Sequence, residues 1–303
     1  MPDLRLAGTF TALVTPFTPD GEAVDHTALE ALVEAQIAGG VEGLVPCGTT
    51  GEAPTLSEEE AISVIRRVVT SARGRVPVLA GTGSFSTKKT IAASKAALAA
   101  GADGVMVVMP YYSKPSQEGM REHVLAVAKA VGAPVVLYNI PGRSVVDLAA
   151  ETTARICEAA PNVVGLKDAT GNVLRCQEVV RRLGDRLAVM SGDDALTLAM
   201  MATGARGVIS VTSNVLPREV SEVTRVFASG DLARARALHL SLLEVHALMF
   251  VESNPAPAKG ALAEAGRMSP AVRLPLTAAG EGTRSLLGAA LSRLKEAPVR
   301  GAA

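Results

Sequence analysis

The chain has 303 residues, 48% of them hydrophobic, with 30 basic and 30 acidic side chains and a formal net charge of +0. That length suits either two ordinary domains or one large α/β barrel with a sizeable core. The balanced charge leaves no basic footprint for nucleic acid or an anionic membrane surface, and no apolar run is long enough to span a bilayer. The opening "LAGTFTALVTPF" lacks the basic flank and small-residue cleavage site of a secretion signal. Cys47, Cys157 and Cys176 are widely spaced and form no CxxC pair. A soluble, reduced, cytoplasmic protein is therefore expected.

Short apolar runs recur along the chain, each ending in Gly, Pro, Asn or Asp. The first are "TFTALVTPF" (9–17), "VEGLVPCGTTGE" (41–52), "VPVLAGTG" (76–83) and "DGVMVVMPYY" (103–112). "PVVLYNIPGR" (134–143), "VVGLKDATGN" (163–172), "LAVMSGDD" (187–194) and "GVISVTSN" (207–214) follow. They are continuous rather than alternating, which is the pattern of strands covered on both faces. Between them lie amphipathic segments such as "TALEALVEAQIAGG" and "TIAASKAALAAGAD", each closed by glycine where a helix ends. "LSEEEAISVIRRVV" opens with Ser57 and Glu60 in capping-box spacing.

Eight strand–helix units predict a (β/α)₈ barrel, whose usual size is about 250 residues. The rival is a doubly wound sheet built from the same units. No GxGxxG follows the first strand, and "GTGSFS" lacks the third glycine, so its glycines are assigned to a tight turn. After about residue 216 only helical patterns remain. The expected division is a catalytic barrel over 1–225 and a helical extension packed on it over 226–303.

Function in a barrel collects at the C-terminal ends of the strands. Those ends are polar here: Thr49 and Thr50, Tyr111 and Tyr112, Tyr138 and Asn139, Lys167 and Asp168, Asp193 and Asp194. Strand alternation puts Lys167, Gly165 and Val163 on one face, with Val164 and Leu166 on the other. If the Lys167 face points inward, Gly165 leaves room below the long side chain and Tyr138 converges from the neighbouring strand. Burial disfavours an ammonium ion, and a neutral amine can attack a carbonyl to form an iminium. The alternative is a structural ion pair between Lys167 and Asp168 or another acid. Of the other lysines, Lys88, Lys89, Lys95, Lys129 and Lys295 fall in helical patterns, and Lys114 and Lys259 follow prolines in loops.

"PCGTTGE" forms a turn whose N–H groups and hydroxyls can cradle a carboxylate, or else an ordinary loop before a capped helix. Arg143 in "YNIPGRS" offers a fork for a second carboxylate. His26, His123, His239 and His246 are scattered, with no HExxH spacing. His239 and His246 share a helix face and read as ordinary helix residues. No metal or cofactor is expected.

"GTTGEAPTLSEEE", "AGTGSFST", "PYYSKPSQEG", "YNIPGRS", "GLKDATGN", "SGDD", "GVISVTSN" and "NPAPAKGAL" occur in this order between residues 8 and 276. Together they resemble the dihydrodipicolinate synthase / N-acetylneuraminate lyase family of class I aldolases. The resemblance implies a (β/α)₈ barrel and a Schiff base between Lys167 and pyruvate. It also implies proton relay through Tyr138, and Thr49 and Thr50 as the pair that binds the pyruvate carboxylate and passes protons. Tyr112 resembles a third relay member that crosses a tight dimer interface, which carries the expectation of a homotetramer. The backbone at Gly192 and Ile209 is expected to line the same pocket. Arg143 resembles the arginine of the synthase branch, whose members condense pyruvate with L-aspartate 4-semialdehyde on the route to diaminopimelate and lysine. The alternative branch cleaves sugar-derived keto acids of the N-acetylneuraminate or 2-keto-3-deoxygluconate type. Lysine-inhibited members carry histidine and asparagine where this chain has Ala53, Pro54, Glu58 and Phe85 beside a retained Tyr111, so weak or no lysine inhibition is expected.

Overall fold

The computed structural model describes residues 4–296. Its strands are β1 (Gly8–Ala12), β2 (Gly43–Val45), β3 (Leu79–Gly81), β4 (Gly104–Val108), β5 (Val135–Asn139), β6 (Val163–Asp168), β7 (Ala188–Ser191) and β8 (Gly207–Ser210). Seven lie inside their apolar runs, and β1 begins one residue ahead of its own, at Gly8. All pair in parallel, in the order β2-β1-β8-β7-β6-β5-β4-β3. A parallel bridge from Leu44 to Val78 joins the two ends and closes the ring. The eightfold count thus ends in a barrel and not in a doubly wound sheet.

The helices are α1 (His26–Ala38), α2 (Glu58–Ala72), α3 (Thr87–Ala99), α4 (Gln117–Val131), α5 (Pro141–Ser144), α6 (Ala150–Ala159), α7 (Val173–Leu183) and α8 (Thr197–Ala202). They continue with α9 (Pro217–Ala228), α10 (Leu232–Leu248), α11 (Ala256–Glu264) and α12 (Glu281–Glu296). The capping box predicted at α2 is present: Ser57 Oγ accepts from Glu60 N, and Glu60 Oε2 accepts from Ser57 N. Helix α9 packs on β1, α10 on α9, and α12 on both α10 and α11. The boundary drawn at 225/226 falls within α9.

Apolar side chains fill both sides of the wall. Outward residues such as Val105, Leu137 and Leu166 join the helices in the larger core. Phe10, Val45, Leu79, Met106, Val136, Met190 and Ile209 fill the interior, so the barrel is packed rather than open.

Strand β6 departs from simple alternation. Val135 pairs with Val163 but Val136 pairs with Gly165, which leaves Val164 as the extra residue of a bulge. Val163 consequently joins the outer core and Val164 the inner one, the reverse of the expected assignment. Beyond the bulge, Gly165 and Lys167 face inward as alternation predicts. The space at Gly165 serves a different purpose from the one expected. A Cβ there would stand 2.4 Å from Leu6 Cδ1, so Leu6 plugs the barrel beneath the lysine.

Candidate active site

Lys167 and Tyr138 are directly paired across β5 and β6. Both side chains are buried, at 4% exposure each, and Lys167 Nζ lies 4.4 Å from the centre of the Tyr138 ring. Among the described residues no carboxylate lies within ion-pairing distance of Lys167. The alternative pairing with Asp168 is not formed, because the strand sends Asp168 to the opposite face. There its Oδ2 accepts from Arg175 Nη1 at 2.7 Å, and its Oδ1 from Thr170 N and Oγ1 at 3.0 and 2.6 Å. Asn139, the neighbour of Tyr138, likewise turns outward to Asp147 and to the N–H of Leu148.

The loop after β2 is strained. Cys47 and Glu52 both sit in the left-handed region, at φ +55° and +54°, although neither is glycine. Within it, the N–H groups of Gly51, Glu52 and Ala53 are consumed by the carbonyls of Gly48 and Thr49. Among the described residues no protein acceptor takes the N–H of Thr49 or Thr50. Burial pushes the Cys47 thiol up to about 12, so it contributes no thiolate. The glycines of "GTGSFS" are not in positive-φ turns. They allow close approach, since a Cβ at Gly81 would lie 2.3 Å from Cys47 O, and one at Gly83 2.3 Å from Val108 N.

A cavity of about 750 Å³ opens at this end of the barrel. Thr49, Tyr138 and Arg143 line it, together with Ser144 and Tyr111. Arg143 sits on the short α5, exposed, and its guanidinium meets no acid among the described residues. Lys167, Thr50, Gly192 and Ile209 do not line this cavity. Lys167 and Ile209 lie in the packed interior beneath it. Gly192 donates to Asp168 O at 2.7 Å and packs on Ala169. Tyr112 is the outlier: it is 90% exposed at φ +69° and lies away from its own chain's cavity.

Several polar groups that matter to the site carry no role in the sequence reading. Lys259 is on α11, not in a loop, and is wholly buried against Glu52 at 2.5 Å. Its ammonium also donates to Ala271 O at 2.8 Å and lies 4.1 Å from the Phe17 ring centre. Arg273 N donates to Glu52 Oε2, and the Arg273 guanidinium forks onto Glu60 and stacks on Phe17 at 4.3 Å. Asn254 Nδ2 donates to Thr50 Oγ1 at 2.9 Å. The sequence signal for these contacts was "NPAPAKGAL", which supported the resemblance without suggesting a partner. His239 and His246 do share a face, with ring centres 5.9 Å apart. They bond Ala195 O and Thr212 Oγ1, and burial pushes both below the usual histidine range.

A closed parallel barrel, a buried lysine stacked on a tyrosine and a hydroxyl-lined mouth define a class I aldolase-type lyase. The model of the Dihydrodipicolinate synthetase family matches residues 5–294, and the chain belongs to that family. The 4-hydroxy-tetrahydrodipicolinate synthase of Sorangium cellulosum is 77% identical over 295 residues, covering 97% of this chain and 98% of that one. The synthase of Methylacidiphilum fumariolicum SolV superposes with a TM-score of 0.94 at 43% identity, over 96% of this chain and 97% of that one. A chloride-inhibited dihydrodipicolinate synthase of Acinetobacter baumannii, solved with pyruvate, gives 0.93 at 44% identity over 98% and 100%. These relatives favour the synthase branch over the sugar-acid lyases.

Proposed function

We propose that the chain condenses pyruvate with L-aspartate 4-semialdehyde, the 4-hydroxy-tetrahydrodipicolinate synthase reaction, in the cytoplasm. The observation that carries this reading is the inward Lys167, buried beside Tyr138 with no carboxylate partner among the described residues. Its amine attacks the pyruvate carbonyl carbon, and loss of water leaves an iminium. The iminium draws electrons from the methyl carbon, which gives up a proton to the Tyr138 relay. The resulting enamine carbon bonds to the aldehyde carbon, and the aldehyde oxygen takes a proton from the same relay. The amino group of the semialdehyde then adds to the regenerated iminium carbon, closing the ring and expelling the Lys167 amine. Thr49 and Thr50 supply hydroxyls and free N–H groups to the pyruvate carboxylate.

Arg143 is the group for the second carboxylate, since its guanidinium faces the cavity without an internal acid. Tyr112 completes the relay from a neighbouring copy, within a homotetramer built of tight dimers. Its left-handed backbone fits a side chain held for use outside its own chain.

The test is borohydride reduction with pyruvate, followed by peptide mass mapping. A reduced adduct on Lys167 is expected; an adduct on another lysine, or none, refutes the assignment. Arg143→Ala should cut turnover with aspartate semialdehyde while leaving adduct formation intact. Comparable turnover of N-acetylneuraminate or 2-keto-3-deoxygluconate would return the chain to the lyase branch.

A further inference from the structure

We infer that Asn254 is a positioning residue for the pyruvate carboxylate, acting through the hydroxyl of Thr50. The inference rests on the reading above that Thr50 meets that carboxylate. The Thr50 hydroxyl has one proton and two lone pairs. Asn254 Nδ2 donates into one lone pair at 2.9 Å, so the Thr50 proton must point elsewhere. Like the N–H groups of Thr49 and Thr50, it has no protein acceptor among the described residues. Without the amide, the hydroxyl would be free to rotate and would present its proton to the mouth only part of the time.

The side chain is held for this contact at the expense of its own hydrogen bonding. Asn254 is 5% exposed, and its Oδ1 is buried without a hydrogen-bond partner. A buried polar atom left unsatisfied is uncommon and calls for an explanation. Fixing the donor on Thr50 supplies one.

Both ends of the contact are anchored to each other independently of it. Thr50 and Glu52 belong to one loop, and Asn254 stands just ahead of α11, whose Lys259 pairs with Glu52 at 2.5 Å. Arg273 N closes a second bond to the same carboxylate at 2.9 Å. The distance between Asn254 and Thr50, which are 204 residues apart in sequence, is therefore set by a rigid frame. The helical extension orients a donor of the site while contributing no atom to the reaction.

The test is a double-mutant cycle between Asn254→Ala and Thr50→Val, read as the KM for pyruvate and as the pyruvate concentration that half-saturates borohydride trapping. Each single change should raise both quantities about tenfold; Asn254→Ala should move kcat far less, whereas Thr50→Val, which removes a relay hydroxyl, should lower kcat as well. Together they should do little more than Thr50→Val alone, because the hydroxyl that Asn254 orients is already gone. Asn254→Asp, an isostere that can only accept, should take the Thr50 proton and raise KM at least as much as Asn254→Ala. Should Asn254→Ala fail to fold, Asn254→Ser is compared with Asn254→Asp in the same two readouts. Multiplicative effects in the cycle overturn the inference, as does an Asn254→Asp or Asn254→Ser enzyme with unchanged half-saturation. Failure of the parent to label Lys167 would instead sink the function proposed above. A labelled parent with an unresponsive Asn254 sinks only the present inference.

Discussion

Replacing Lys259 by methionine keeps an unbranched side chain, one atom shorter, and removes its charge. The change deletes a contact to Glu52 at 2.5 Å in which both side chains are 0% exposed. It also deletes a hydrogen bond to Ala271 O and a cation stacked on Phe17. Glu52 keeps the N–H of Arg273 but loses its counter-ion. Stranding one member of a buried pair costs about 3–5 kcal/mol, so Lys259→Met should lower the unfolding free energy by that amount.

Glu52→Gln should cost less. Burial holds Lys259 down at about 8 even with Glu52 raising it, so without that carboxylate it lies lower still and can shed its proton near neutral pH. Unfolded lysine keeps its proton to a higher pH, so the unfolded state binds more protons in that window and stability rises with pH. The deficit of Glu52→Gln should accordingly shrink between pH 7 and pH 9. Urea denaturation followed by far-UV circular dichroism measures all of this. The Lys259→Met/Glu52→Gln pair should recover part of the single-variant loss. A Lys259→Met protein within about 1 kcal/mol of the parent would refute the reasoning, since an ion pair that cheap to break is solvated.

Gly81→Ala places a methyl carbon 2.3 Å from the backbone oxygen of Cys47; the strained loop must shift, with an expected loss of about 2–4 kcal/mol by denaturation and a rise in pyruvate KM. Burial pushes His123 down to about 4 from an ordinary value of 6.5. As pH falls through that interval the unfolded chain takes up a proton that the folded chain refuses, so stability should drop by up to about 3 kcal/mol. His239 and His246 shift in the same direction. His123→Gln should flatten the curve measured by denaturation from pH 7 to pH 4, and an equally steep variant would contradict this. Lysine should inhibit weakly or not at all, since Ala53, Pro54 and Glu58 line the cavity near Tyr111 and Phe85 packs edge-on against that ring; strong inhibition at sub-millimolar lysine in a turnover assay would overturn it.

The barrel was legible because each strand is an uninterrupted apolar run and each turn is punctuated, a pattern that depends only on near neighbours in sequence. That Lys167 shares a face with Gly165 and opposes Leu166 was legible for the same reason, since alternation holds across Gly165–Lys167; which face points inward was left open and is set by the closed barrel. The bulge at Val164 was not legible, because an extra residue in a strand leaves no mark in a run of valines and is set by the register of β5. Lys259 was misplaced because "NPAPAK" reads as a proline-broken loop. Its prolines instead fall before and within the first turn of α11, where the missing N–H groups are tolerated. Asn254, Glu52 and Arg273 escaped notice because their partners lie about 200 residues away, and no local pattern encodes such a distance.

Charge placement in β6 shows how the fold separates chemistry from support. Lys167 and Asp168 are adjacent, and in a loop they would neutralise each other. The pleat sends them to opposite faces, and on the outer face Asp168 accepts three bonds from Arg175 and Thr170. A carboxylate so engaged holds the strand end in place and cannot swing inward to the amine. The same division recurs one strand earlier, where Tyr138 faces the cavity and Asn139 is tied outward to Asp147 and Leu148. In both strands the inward residue has no polar side-chain partner among the described residues, while its outward neighbour is hydrogen-bonded to the helical layer. The barrel wall thus turns Lys167 and Tyr138 to its interior side and holds Asp168 and Asn139 in the helical layer.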